Sequence, residues 1–176
     1  MVRSIILASI FAVALASGAH AQDQAPASAP DYVTAPAPKP GMAPGLKATE
    51  LNPKTRSFQL VFSKGDEVVS GLAEFAAKNH LTVAHFTALG ALGSAQIGWF
   101  DPDKRAYKTM RINEEMEVTS LVGNITRDRS GNPVVHVHLV VALLRNGAVY
   151  AGHLLEGHIS LTMQLYLEDS EPLSAN

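Results

Sequence analysis

The alternation of hydrophobic and polar positions predicts a domain built mostly of strands. Alternating patterns predict strands at 57–62, 81–88, 95–100, 106–112, 116–126, 134–144, 148–155 and 159–167, with a break at 90–93. Before the second of these, apolar residues at 68, 69, 72, 73, 75 and 76 recur at helical spacing, and Asp66 is a suitable N-cap. The connections are too short for repeated helical crossovers. We therefore expect an α+β fold, a largely antiparallel β-sheet with one long helix and short flanking helices.

The first 21 residues have the order of a secretory signal peptide. Arg3 gives a positive start, 5–16 is almost wholly apolar, and Ala19-His20-Ala21 is a small-x-small cleavage site. The apolar run is shorter than the roughly 20 residues that cross a bilayer, which argues against a membrane anchor. We expect a periplasmic or secreted protein, cleaved after Ala21, with no transmembrane segment in the mature chain.

Residues 22–45 form a Pro/Ala-rich segment ahead of the domain. Six of its 24 residues are Pro and six are Ala, and large apolar side chains are scarce. Such a segment buries too little surface to offset the entropy lost on ordering. The sequence predicts a disordered linker at 22–45 and a single folded domain at 46–176.

Composition and charge exclude several classes of protein. The 176 residues contain no cysteine, which excludes disulfides, thiolate metal sites and cysteine nucleophiles. Fourteen Lys and Arg stand against 16 Asp and Glu, a net charge of −2. Nucleic-acid binding rests on Lys and Arg that neutralise phosphates, so this balance disfavours a nucleic-acid partner.

The strand predicted at 134–144 carries two histidines on one face. Side chains alternate across a strand, so 135, 137, 139, 141 and 143 share a wholly apolar face that we assign to the core. His136 and His138 lie together on the opposite face.

The turn that follows brings a third histidine to the same face. Asn146-Gly147 is a preferred centre for a two-residue type I′ hairpin. If Arg145 pairs with Ala148, Val140 faces His153, and His138 becomes a diagonal neighbour of His153 with Cα atoms about 7–8 Å apart. A bulge at the preceding glycine would instead rotate His153 away.

Three imidazoles on one face predict a metal site. Three neutral histidines with an open fourth position are the arrangement of catalytic zinc, although iron, nickel or copper also accept imidazole. We expect a divalent metal, with zinc first, held by His136, His138 and His153. The alternative is that His-Val-His merely belongs to a polar sheet face.

The remaining candidates are single residues without a spaced partner. Glu117, early in its strand, and Glu156, just after the third histidine, are candidate general acid/base groups, and each is also explained as an exposed strand carboxylate. His80 follows the helix and suits its C-terminus, while His85 and His158 lack a partner of matching spacing.

At this point the domain resembles the PPC family, the plants and prokaryotes conserved domain also found beside AT-hooks in plant nuclear proteins. The segments that carry the resemblance are GALGSA at 90–95, GWFD at 98–101, Tyr107, EVTSLVGNI at 117–125, HVH at 136–138, GHLLEG at 152–157 and TMQL at 162–165. The resemblance implies a homotrimer and, in prokaryotic members, a metal held by residues matching His136, His138 and His153. The implied fold is similar to that of acetolactate decarboxylase, a zinc enzyme.

Three functions compete on these observations. The first is an exported metal-dependent hydrolase or lyase acting on a small oxygenated substrate. The second is a trimeric binding or scaffold module without catalysis, in which a small-molecule ligand is possible. The third is DNA binding, a label the family often carries. The acidic balance disfavours it, and the chain contains no Arg-Gly-Arg-Pro hook.

Overall fold

The computed structural model describes residues 31–34, 36–52 and 56–169, giving the backbone alone for 31, 32 and 49–52. The described residues contain the following elements in chain order: β1 (Asp31–Val33), β2 (Lys47–Asn52), β3 (Ser57–Ser63), α1 (Val68–Lys78), β4 (Ala84–Asp101), β5 (Ala106–Ile112), β6 (Met116–Arg127), β7 (Pro133–Leu143) and β8 (Val149–Asp169). The predicted signal peptide at 1–21 lies outside the described residues.

The strands form one antiparallel sheet that closes on itself. Its order is β1-β5-β4-β6-β7-β8-β3-β2, and β4 also pairs with β8. The pairings β4–β6, β6–β7, β7–β8 and β8–β4 therefore make a closed ring. The prediction of a largely antiparallel sheet is confirmed.

The helix is shorter than expected and is the one helix found in the described ranges. It has 11 residues, and the predicted short flanking helices are not found there. Eleven residues also fall far short of what a bilayer crossing needs, so no described helix could span a membrane. The domain is thus mostly β, with α1 packed against β7 and β8.

The helix begins one residue later than predicted. Glu67, not Asp66, is the N-cap, and its carboxylate accepts hydrogen bonds from the backbone N–H of Val69 and Ser70. Asp66 is instead used in the turn before the helix, where it accepts from the backbone of Ser63 and Gly45, both at 2.8 Å. Asp66 is used by the turn, so the adjacent carboxylate of Glu67 caps the helix.

The predicted break at 90–93 is a register shift within one strand. β4 runs without interruption from Ala84 to Asp101 and pairs with β8 along most of its length. On its other edge it pairs with β6 up to Leu92 and with β5 from Ala95 onward. The glycines therefore mark the point where β4 changes neighbours.

Part of the segment predicted as a disordered linker is packed on the domain. β1 pairs with β5, and residues 36–40, which we call the strap, run beside α1. The backbone N–H of Lys39 donates to the hydroxyl of Ser70 at 3.1 Å, and that of Gly41 donates to the carboxylate of Glu74 at 3.1 Å. Hydrogen bonds to α1, which composition does not show, order this part of the chain.

Candidate metal centre

Two of the predicted ligands lie on the outer face of β7. The side chains of Val137 and Leu139 are buried, whereas His136 and His138 are exposed on the opposite face. The predicted division of this strand into a core face and a histidine face is confirmed. Each histidine therefore stands on a strand whose other face is fixed by core packing.

The third histidine lies directly across the strand pair. His138 pairs with His153 in the register of β7 and β8, and this is the last pair before the two strands diverge. The expected diagonal relation was wrong by two residues. Because side chains alternate with a period of two, a two-residue shift leaves His153 on the predicted face.

The shift arises in the turn. Leu143 donates its N–H to the carbonyl of Ala148, and Gly147 donates back to Leu143, so the loop has four residues, 144–147, rather than two. Gly147 has a φ of 70°, whereas Asn146 is not left-handed and instead accepts a hydrogen bond from Ala148. A type I′ turn needs positive φ at both positions, so this turn is of another kind.

The three imidazoles form a compact cluster. Ring centroids lie 5.1 Å apart for His136 and His138, 5.2 Å for His136 and His153, and 5.7 Å for His138 and His153. One nitrogen from each lies within 4.8 Å of the other two. Two nitrogens bound to one zinc ion are at most about 4.2 Å apart, so small ring rotations bring these donors to a shared ion.

The environment keeps one of these rings neutral. Burial, followed by electrostatic repulsion from His136 and His138, lowers the pKa of His153 to about 4. The imidazole of His153 is therefore uncharged at neutral pH, which is the form that binds metals.

A tyrosine from a third strand packs on the cluster. The ring of Tyr107, on β5, stacks on His153 with centroids 4.9 Å apart and planes inclined by 23°. Phe100 in turn meets Tyr107 edge to face at 5.4 Å. Gly98 lies opposite His153 on β4, and a Cβ there would come within 3.0 Å of Tyr107. The missing side chain lets Tyr107 reach across β4.

A cavity of about 640 Å³ lies beside His153, where the pairing of β7 and β8 ends. Its walls come from the strap, from one side of α1 and from the first residues of β7. The site thus has a half-open cavity on one side and an exposed sheet face on the other.

Glu117 is not brought to the cluster. It pairs with Ala142 on β7, on the histidine face but four residues beyond His138, a separation of about 13 Å at 3.3 Å per residue. Glu156 accepts hydrogen bonds from His158 at 3.0 Å and Arg111 at 3.5 Å, so it is engaged in an ion-pair group of its own.

Two further histidines of the described residues, His80 and His85, lie outside the cluster. The Nε2 of His85 lies 3.4 Å from the carboxylate of Glu168, and both side chains are exposed. His80 adopts a φ of 55° after α1, and its N–H and that of Leu81 donate to the carbonyls of Ala77 and Ala76. It terminates the helix through its backbone in a Schellman arrangement.

Sequence reasoning missed two parts of the site, Tyr107 and the strap. The short turn at 101–105 pairs Phe100 with Tyr107, which is visible in sequence, but the adjacency of β4 to β8 that brings Tyr107 to His153 is not. No pattern in the strap signals its contact with α1.

Comparison with known proteins identifies the domain type. The profile of the Plants and Prokaryotes Conserved (PCC) domain matches residues 51–171. No curated protein matches the chain.

Several solved structures share this fold. A candidate DNA-binding protein of Bacteroides thetaiotaomicron superposes with a TM-score of 0.66 at 22% identity, over 72% of this chain and 85% of its own. A plant- and prokaryote-conserved protein of Pyrococcus horikoshii superposes with a TM-score of 0.63 at 25% identity, over 72% of this chain and 82% of its own. A metal-containing protein of Archaeoglobus fulgidus superposes with a TM-score of 0.59 at 27% identity, over 70% of this chain and 83% of its own.

Proposed function

This chain belongs to the Plants and Prokaryotes Conserved domain family, and we propose that it is an exported protein that holds one divalent metal ion, zinc first, at His136, His138 and His153. The observation that carries the proposal is the approach of three imidazole nitrogens to within 4.8 Å on one sheet face. The solved relative described as metal-containing supports it. Export rests on the leader pattern at 1–21.

The donor set fits an ion that keeps an open coordination position. Three neutral imidazoles are the ligands of catalytic rather than structural zinc sites, and the described residues add no carboxylate to the cluster. Bound there, such an ion would polarise a carbonyl or lower the pKa of a water molecule to about 7. His136 and His138 orient their donors outward from β7, and Tyr107 holds the ring plane of His153.

The reaction class that suits this chemistry is hydrolysis or decarboxylation of a small oxygenated substrate. The chain's own residues contribute binding and orientation, through the rigid pair of β7 and β8 and the cavity beside His153. Glu117 takes no part in this proposal, because it is placed about 13 Å along the sheet. The likeness to acetolactate decarboxylase stays a prediction.

A second candidate function is that of a trimeric binding or scaffold module. Three large apolar side chains are exposed on the histidine face, Leu89 at 65%, Val122 at 54% and Tyr166 at 50%. Val122 lies directly opposite His138, and Thr87 pairs with both Val122 and Tyr166, so the patch adjoins the cluster. Apolar patches of this kind mark interaction sites. We propose that identical subunits cover it in a homotrimer.

DNA binding is the least supported of the functions. Two solved relatives are described as candidate DNA-binding proteins, but at 22% identity each the likeness shows the fold alone. The acidic net charge lacks the basic footprint that phosphate binding needs. Nanomolar binding of a DNA duplex at physiological salt in a gel-shift assay would place DNA binding ahead of the other two functions.

One experiment tests the proposal directly. Untagged protein is analysed for metal content and native mass in a single run, beside His138→Ala and the control His85→Ala. We expect one ion per chain in the native protein and the control, and loss of the ion in His138→Ala. Absence of stoichiometric metal from native protein, with no change in His138→Ala, would overturn the metal function.

A further inference from the structure

We propose that the cavity beside His153 binds a small, mainly apolar monocarboxylate, with the strap as one wall. The strap precedes residue 51, where the family match begins, so the match assigns it no role. The inference goes beyond the metal function, because the apolar walls and the lysine that would recognise the ligand are in place whether or not a metal ion is bound.

The size and lining of the cavity suit a small organic molecule. Its volume of about 640 Å³ falls within the roughly 300–1,000 Å³ of known small-molecule sites. Apolar side chains from four parts of the fold line it, among them Pro36, Pro38, Ala73, Ala77, Val135 and Leu155. Such walls favour an apolar ligand body, because its burial releases water from both surfaces.

The strap is fixed in place as a wall. Its Lys39 N–H donates to Ser70 on α1 at 3.1 Å, and just beyond it the carbonyl of Met42 accepts from the N–H of Glu67 at 2.8 Å. On the other side β1 is paired with β5. These attachments hold the prolines of the strap over the helix, so the wall is present before any ligand arrives.

The charged side chains that line the cavity indicate which polar group a ligand would carry. The lining carboxylates already have partners: Glu74 accepts from Lys78 at 2.8 Å, and Asp128 accepts from the backbone of Ser130 and Asn132. Lys39 is the cation in the lining, and within the described ranges its ammonium group has no ion-pair partner. An unpaired ammonium beside apolar walls favours one carboxylate on the ligand.

The position of His153 gives the ligand a second contact in the metal-loaded protein. His153 and the strap line the same cavity, so a carboxylate inside it can approach the candidate ligand set. Only this second contact rests on the proposed metal function. The contacts with Lys39 and the apolar walls do not depend on it.

The test is calorimetric titration of hexanoate into the full chain, once after chelator treatment and once loaded with zinc. We expect saturable binding of one hexanoate per chain in both forms. Hexanamide has the same shape without the charge and should bind at least tenfold more weakly. Absence of saturable hexanoate binding in both forms would overturn the cavity site.

Two variants locate the binding. Lys39→Gln should weaken hexanoate roughly tenfold and leave hexanamide unchanged, whereas Lys47→Gln, an exposed lysine on β2, should change neither. Ala73→Phe should fill the cavity and abolish binding of both, with circular dichroism to show that it folds. Binding that is indifferent to Lys39→Gln would contradict the proposal even if Ala73→Phe does not fold.

The outcomes separate this site from the metal function. Hexanoate binding by a protein that takes up no zinc would reject the metal function and retain the cavity. Zinc binding by a protein that takes up no hexanoate in either form would do the reverse.

Discussion

Tyr107 lies face to face with His153, with ring centroids 4.9 Å apart and planes inclined by 23°. The two residues stand on β5 and β8, and the contact crosses β4 at Gly98, where no side chain intervenes. Stacking fixes the plane of the imidazole, and ring orientation decides whether a histidine can share an ion with its neighbours. Tyr107 is therefore a positioning residue for the candidate metal centre.

Replacing Tyr107 should separate its stacking from its hydroxyl. Tyr107→Leu removes the ring, and we expect metal affinity to fall roughly 2- to 10-fold, the value of one aromatic contact. Tyr107→Phe keeps the ring and should bind as the native protein does. Competition with a chromophoric chelator measures both, and equal affinities for the Leu and Phe variants would contradict the positioning role.

Gly98→Ala should act through the same contact. Its Cβ would lie 3.0 Å from Tyr107 and 3.3 Å from Leu155, which pushes the tyrosine off the imidazole. We expect metal affinity to fall, and we expect little further loss when Tyr107→Leu is added, because both changes remove one interaction. Gly93→Ala is the matched control, since its Cβ would have no neighbour nearer than 3.4 Å. Fully additive losses would indicate separate causes.

The low pKa of His153 makes the metal-free protein sensitive to acid. Burial, with repulsion from His136 and His138, holds this pKa near 4, below the ordinary histidine value of 6.5, so between these pH values the unfolded chain binds a proton that the folded chain does not. The free energy of unfolding should therefore fall as the pH falls from about 6.5 to 4. His153→Gln should show a shallower fall in urea denaturation series. Identical slopes for the two proteins would mean that His153 titrates normally.

Glu67 ties the start of the helix to β8. Its buried carboxylate accepts hydrogen bonds from Val69, Ser70 and Gly157, the last at 3.1 Å across the fold. Glu67→Ala removes the cap and leaves a buried donor of Gly157 unpaired, and it should lower the free energy of unfolding by about 2–4 kcal/mol. Glu117→Ala, at an exposed strand position, should change it by less than about 0.5 kcal/mol. Urea denaturation compares them.

The exposed apolar patch should be needed for self-association. Leu89 is 65% exposed on the histidine face, and Leu89→Lys should shift the native mass from trimer to monomer without unfolding the domain. Leu144→Lys is the control, because Leu144 is 77% exposed but stands in the turn between β7 and β8. Light scattering distinguishes the species. A trimer that survives Leu89→Lys would place the interface elsewhere.

The histidine face could be predicted because it depends only on parity. The apolar residues of β7 fix which side faces the core, so His136 and His138 had to point outward together. The register with His153 could not be predicted, because it depends on the φ of Asn146, and Asn-Gly serves several turn types. Because the predicted register was wrong by two residues, His153 remained on the predicted face, and only its separation from His138 differed.

Features that depend on distant contacts were beyond the sequence. The choice of Glu67 over Asp66 as N-cap depends on Gly45 and Ser63, which use the Asp66 carboxylate. The strap is likewise held by Ser70 on α1, and Gly41, which follows it, is held by Glu74. Amino-acid composition indicates how much apolar surface a segment can bury. It does not indicate hydrogen bonds to distant residues, and those bonds hold these segments in place.

The order of β7 and β8 along the chain decides which ligands of the candidate centre are synthesised first. His136 and His138 come from β7, but His153 and the pairing that closes the ring come from β8, the last strand described, which joins β3, β4 and β7. A chain threaded across a membrane from its N-terminus would deliver the third ligand after the other two. Loading with metal would then follow transport, and the ion would be drawn from the compartment of arrival.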